Sequence, residues 1–307
     1  MSKHLLSVMA LVMTMMFVSG CENPVTSTTD FPAEQQEEVK YKTVNFNVSG
    51  FEVTSEYITT TRADKALSEI TTLTNLQIVL FKGNDSDGYT KAYTFQQTSG
   101  DTDYGKISAF VAYGTYKVVV VANGGKDYYT IDSPTSVSVP TTMDRVKDTF
   151  TCVGDLTVAE NSAANQSITL KRAVAAVGLK ITETYADLPT TFDHFKFELA
   201  GGSTVLNPTS GLGTGNATQT IEEKYNNNST NVTLGIYTFP TGGNTLEFTV
   251  HAIDKSGNVM RTYTFNDFTL TADVMTTYNG KFFADNESFT IAVDENSASW
   301  TTVTKQF

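Results

Sequence analysis

Few residues of this 307-residue chain have side chains that could do chemistry alone: two cysteines and three histidines. Cys21 closes the run Val18-Ser19-Gly20-Cys21, behind Lys3 and an apolar stretch from Leu5 to Val18. That stretch is too short to span a bilayer as an ordinary helix. Small residues before a cysteine resemble the bacterial lipobox, where a signal peptidase cuts and the cysteine is diacylated. A secretory signal ending by chance in that tripeptide is the bland reading. If Cys21 carries lipid, Cys152 is the one remaining thiol and no intrachain disulfide can form. Cys152 sits in a strand-like run, Phe150-Thr-Cys-Val153, and reads as a buried, inert thiol. His194 and His251 fall on the polar faces of predicted strands, as solvated side chains. No HExxH, GxSxG or phosphate-loop pattern occurs. Asp85-Ser-Asp-Gly88 is reminiscent of a calcium loop. Aligned on Gly88, however, Gly83 and Thr94 stand where Asp and Glu are needed, so a hairpin tip is expected. No catalytic residue, metal or cofactor is expected, and the chain does not read as an enzyme.

The elements behind these residues are strands. The chain is 40% apolar, 18% charged and carries a formal charge of −12. This excludes disorder and disfavours a nucleic-acid partner. Val44, Phe46 and Val48 alternate with polar residues, and the apolar phase then flips to Phe51 and Val53. One extra residue at Ser49-Gly50, a bulge or bend, accounts for the flip. Val118 to Val121 is unbroken and should be a central strand covered on both faces. Phe195, Phe197 and Leu199 alternate, and Asp254 to Asn258 reads as a hairpin turn. A Gly/Asn/Thr-rich stretch over about 200–230 reads as polar loop. Helical patterns at 63–73 and 141–149 amount to a turn or two. Residues 1–20 read as signal peptide and 21–40 as a lipidated, acidic tether. Two β-sandwiches follow, 41–164 and 165–307, with the boundary at a polar linker near 159–166. The fold class is all-β.

Four segments, in order, resemble the fimbrillin superfamily of Bacteroidales bacteria, whose members build type V pili. They are Val44-Asn-Phe-Asn-Val48 with Thr59-Thr-Thr-Arg62-Ala63; Gly114-Thr-Tyr116 through Asn123; Leu170-Lys-Arg172-Ala-Val174-Ala; and Tyr278-Asn-Gly280-Lys-Phe-Phe283, followed by Trp300. The resemblance implies two tandem transthyretin-like sandwiches and export as an outer-membrane lipoprotein. It implies, for stalk subunits, a cut after an arginine that removes the first strand. A neighbour's C-terminal strand then fills the groove. The arginines are Arg62, Arg145, Arg172 and Arg261. Arg172 and Arg261 lie in predicted strands and Arg145 in a helical turn. Arg62, before Ala63, follows a Thr-rich loop, so Arg62 is the expected processing site. The strand removed would hold Val44, Phe46 and Val48. The candidate donor is Phe289, Ile291 and Val293; Trp300, Val303 and Phe307 do not keep period two. Expected partners are other fimbrial subunits, the outer membrane through the lipid, and receptors on host or bacterial cells. A lipid-retaining pilus anchor and a glycan- or host-protein-binding lipoprotein are the competing readings.

Overall fold

Alternation of apolar and polar residues makes strands wherever one face is buried, and such patterns fill this chain. The computed structural model describes residues 39–54, 59–62, 67–224, 233–284, 289–295 and 303–305. Among them are strands β1 (Tyr41–Thr54), β2 (Thr59–Arg62), β3 (Asn75–Asn84), β4 (Gly88–Thr98), β5 (Lys106–Ala112), β6 (Gly114–Asn123), β7 (Thr130–Ser133), β8 (Ser136–Ser138), β9 (Thr149–Val158) and β10 (Asn165–Arg172). Then come β11 (Ala175–Ile181), β12 (Phe192–Gly202), β13 (Val205–Asn207), β14 (Leu212–Gly213), β15 (Ala217–Glu223), β16 (Thr233–Thr238), β17 (Glu247–Asp254), β18 (Val259–Phe265), β19 (Val274–Gly280), β20 (Thr290–Glu295) and β21 (Val303–Lys305). The described helices are single 3-10 turns at Leu67–Glu69 and Tyr185–Asp187. The chain is all-β, in several sheets.

The first sheet runs β2-β1-β10-β9-β6-β3-β4, with β5 also paired to β1. It bends sharply at β9/β10, where two residue pairs alone join the strands, Lys171 with Thr151 and Arg172 with Phe150. The bend brings β1, β5 and β10 over β9, β6, β3 and β4, and a first core fills the space between. Two further sheets, β16-β11-β19-β20-β21 and β15-β12-β17-β18, enclose a second core rich in phenylalanine. Phe195 and Phe282 meet edge to face at 5.0 Å within it, a geometry that aromatic quadrupoles favour.

Val118 and Val120 point into the first core, whereas Val119 and Val121 point into a third. The unbroken valine run is therefore covered on both faces, as its lack of polar alternation required. The second cover is a small sheet, β14-β13-β8-β7, drawn from both halves of the chain. The stretch expected as polar loop over 200–230 thus contributes β13, β14 and β15, because Leu206 needs a buried site and finds it in the third core. Residues 225–232 of that stretch lie outside the described residues. A second difference concerns β10. Its residues follow the polar linker, yet they pair with β1 and β9 and set Ile168 and Leu170 into the first core. The change of core falls at 173–177. Residues 39–307 form one compact unit.

Candidate functional site

β1 lies inside the first sheet. Along one edge it runs parallel to β10, from Asn45 beside Asn165 to Glu52 beside Lys171. Along the other it runs antiparallel to β5, from Tyr41 beside Ala112 to Asn47 beside Lys106, and then to β2, from Phe51 beside Arg62. Val44, Phe46 and Val48 are only 1%, 2% and 2% exposed, and Phe51 joins them in the first core. The register against β10 shifts between Val48 and Gly50, so the expected bulge is present. Gly50 suits that place: a Cβ there would lie 2.7 Å from the Thr169 hydroxyl. Burying these four side chains contributes about 6–12 kcal/mol by area, an upper bound because real unfolded chains are partly collapsed. That is comparable to the whole net stability of an ordinary domain.

The outer face of β1 is polar and paired. The Asn45 amide donates to the Asn165 side-chain oxygen at 2.9 Å and accepts from the Ser108 hydroxyl at 2.8 Å. Lys42 donates to the carbonyls of Ala159, Glu160 and Ser162. Near the start of the strand, Tyr41 and Phe110 stack with centroids 5.8 Å apart and are 49% and 67% exposed. Where β9 and β10 part, a cleft of about 360 Å³ opens beside β1. Its floor includes Phe46, Val120, Leu156 and Ile168, and its rim includes Asp155 and Gln166.

Arg62 ends β2, an edge strand paired to β1. The sequence pattern put it in a loop; the four threonine-rich residues instead extend the sheet because β1 offers them an open edge. Cys21 and Ala63 lie outside the described residues, as do the signal peptide, Trp300 and Phe307. Arg145, Arg172 and Arg261 each have partners among the described residues. Arg145 pairs with Glu223 at 2.7 Å, and Arg261 donates to the carbonyls of Phe282 and Ala284. Arg172 bridges Asp148 and Asp273, each at 2.9 Å. The candidate donor residues sit in or beside β20, which is paired on both edges, to β19 and β21. Ile291 is buried in the second core and Phe289 packs against it.

His194 and His251 lie on the outer face of β12 and β17 but are not fully solvated. His194 contacts Asp193 at 2.9 Å and His251 contacts Thr262 at 2.8 Å, with side chains 18% and 20% exposed. Asn84 to Gly88 is a hairpin tip, in which the Asn84 side-chain oxygen accepts from the amides of Ser86 and Asp87. Sequence reasoning missed the Arg172 cluster, since 24 and 101 residues separate Arg172 from its partners and no local pattern could join them.

A family of unknown function (DUF6562) matches residues 31–304. No curated protein matches the chain. Solved structures are similar over most of its length. The tip fimbrial protein Mfa3 of Porphyromonas gingivalis is 12% identical, covering 84% of this chain and 100% of its own, with a TM-score of 0.42. A fimbrial assembly protein of Parabacteroides distasonis is 16% identical, covering 87% and 100%, with a TM-score of 0.44. A candidate adhesin of Bacteroides ovatus is 11% identical, covering 86% and 95%, with a TM-score of 0.48.

Proposed function

The chain belongs to DUF6562, a family of unknown function, and from that premise we propose that it is a structural subunit of a surface fimbria, assembled by strand exchange. It is exported as a lipoprotein acylated on Cys21, and it consists of two transthyretin-like sandwiches that share a small sheet. Its partners are other fimbrial subunits, and its location is the outer membrane and the fimbrium. The observation that carries this reading is the setting of β1. One strand supplies Val44, Phe46, Val48 and Phe51 to the first core and is flanked on both edges. A cut after Arg62 severs it from everything that follows. Loss of β1 then leaves two rows of unpaired backbone groups beside an apolar slot. A strand from another subunit satisfies both. Arg62 suits the cut by its place in the chain: it ends β2, the edge strand that directly follows β1.

Mass spectrometry of the assembled surface form tests this. The expected N-terminus is Ala63. Assembled fimbriae whose subunits still begin at acylated Cys21 would sink the stalk role and leave that of a membrane-retained anchor, in which β1 stays in place. A second reading, a glycan- or host-protein-binding lipoprotein, is favoured by the exposed Tyr41–Phe110 stack. A glycan array and a Phe110→Ala variant test it; unchanged adhesion removes it.

A further inference from the structure

Val44, Phe46 and Val48 of β1 alternate into the first core. The next place in that series is Lys42, which stands beside Val111 of β5 and is half-buried. A lysine in such a place keeps its stem against apolar neighbours and carries its charge out past them. Lys42 does so at the turn that joins β9 to β10. Its Nζ donates to the carbonyl oxygens of Ala159, Glu160 and Ser162 at 3.3, 2.9 and 2.5 Å. An ammonium has three donors and no acceptor, so three converging carbonyls satisfy it.

The turn builds this cradle without help from the lysine. The Ser162 amide donates to the Ala159 carbonyl at 3.2 Å. The Ser162 hydroxyl donates to the same oxygen at 2.9 Å and accepts from the Ala159 amide at 3.0 Å. These bonds lie within residues 159–162, so the carbonyls stay in place whichever strand stands beside them. An apolar side chain in place of Lys42 would cover the Glu160 and Ser162 oxygens and take away this donor, which is unfavourable. A carboxylate there would add repulsion from the carbonyl dipoles.

We propose that the 159–162 turn is a cation cradle that selects the strand filling the slot of β1. The occupant must present a lysine or arginine at the place of Lys42. This rests on the strand-exchange reading and adds the chemistry of the partner strand. The slot then reads a cation as well as the apolar places of Val44, Phe46, Val48 and Phe51. The same contact makes Lys42 a latch. A cut after Arg62 leaves Lys42 on the N-terminal fragment, still fastened to a turn on the other side of the cut. β1 therefore yields to a strand that brings its own cation and resists one that does not.

Peptide exchange tests this on the full chain, nicked after Arg62 by an Arg-specific protease. The nicked chain is held in urea just below its unfolding transition, with an excess of labelled peptide spanning residues 39–54. Uptake is read by fluorescence anisotropy. The native peptide and its Lys42→Arg variant should enter. Lys42→Met keeps a stem but loses the charge, and should enter about tenfold more weakly. Lys42→Met with Thr43→Lys keeps the net charge but moves it to the outer face, and should be as weak. Equal uptake of the native and Lys42→Met peptides overturns the cradle and leaves strand exchange standing. Equal uptake of the native and shifted peptides overturns it too, because net charge alone then suffices. In the full chain, Lys42→Met should lower the urea concentration at which the nicked fragment leaves; an unchanged midpoint overturns the latch. No uptake of any peptide after the fragment has left overturns the strand-exchange reading and the cradle together.

Discussion

Arg172 shows at the scale of one residue how the two halves are tied. Its guanidinium takes Asp148 through Nε and Nη2 and Asp273 through Nη1, with all three residues nearly buried. It also lies 4.7 Å over the Phe150 ring, which in turn packs on Phe51 of β1. Removing one partner of a buried charge group leaves the others uncompensated, at about 3–5 kcal/mol. Arg172→Gln should therefore lower the unfolding free energy by that much. Arg172→Lys should recover little, because a single ammonium cannot fork between two carboxylates. A stability within about 1 kcal/mol of wild type by urea titration would refute this. Tyr129 gives a second prediction. Burial pushes its hydroxyl from near 10 to about 12. The folded state therefore keeps a proton that the unfolded chain loses near pH 10. Stability should fall from about pH 10 to about pH 12 by about 1.4 kcal/mol per unit from this group, with no slope from it at lower pH. Tyr129→Phe loses the hydrogen bond that its oxygen accepts from the Lys147 amide. It should be weaker at every pH, yet show a shallower alkaline slope. Neither feature was legible in the sequence, because Arg172 lies 24 and 101 residues from its partners and Tyr129 lies 18 from Lys147, and no local pattern joins them.

At the scale of elements, the sequence was legible wherever burial has a period. The phase flip at Ser49-Gly50 gave the bulge, and the valine run of β6 gave its two covered faces. Phe46→Ala should cost about 3–5 kcal/mol in the chain that retains β1, read by thermal or urea melts. Under the strand-exchange proposal, the same substitution should leave the assembled subunit unchanged, because there Phe46 leaves with β1. Glycines separate in the same way. Gly235 faces β11, and a Cβ there would come within 2.5 Å of the Val177 carbonyl oxygen. Gly154 in β9 has open space around it. Gly235→Ala should destabilise by at least about 1 kcal/mol, whereas Gly154→Ala should be neutral or stabilising by about 0.5 kcal/mol. Melts of the two variants side by side check the contrast. Arg62 was misplaced in a loop for an element-level reason: four polar residues make a strand only because β1 leaves an edge beside them.

The whole molecule is interleaved rather than strung like beads. β7 and β8 share a sheet with β13 and β14, and β10 crosses back to the first core after the polar linker. β1 is held by ladders to β10 and β5 as well as by its side chains, so cutting the backbone after Arg62 should not by itself release it. A chain nicked there by an Arg-specific protease should run as one species on gel filtration. Its N-terminal fragment should leave only in mild denaturant or when a competing strand is supplied. Spontaneous release at neutral pH would show that β1 is too weakly held to guard the slot. The sequence by itself determined the all-β class, the strands with one buried face, the two-sided strand β6 and the absence of familiar catalytic motifs, because periodic burial is written locally along a chain. Only the tertiary structure decided which strands meet, which arginines are occupied, where the first core ends, and that the slot of β1 is kinked by one residue against its neighbours. Those are matters of register and partner choice between segments tens of residues apart, and no local period encodes them.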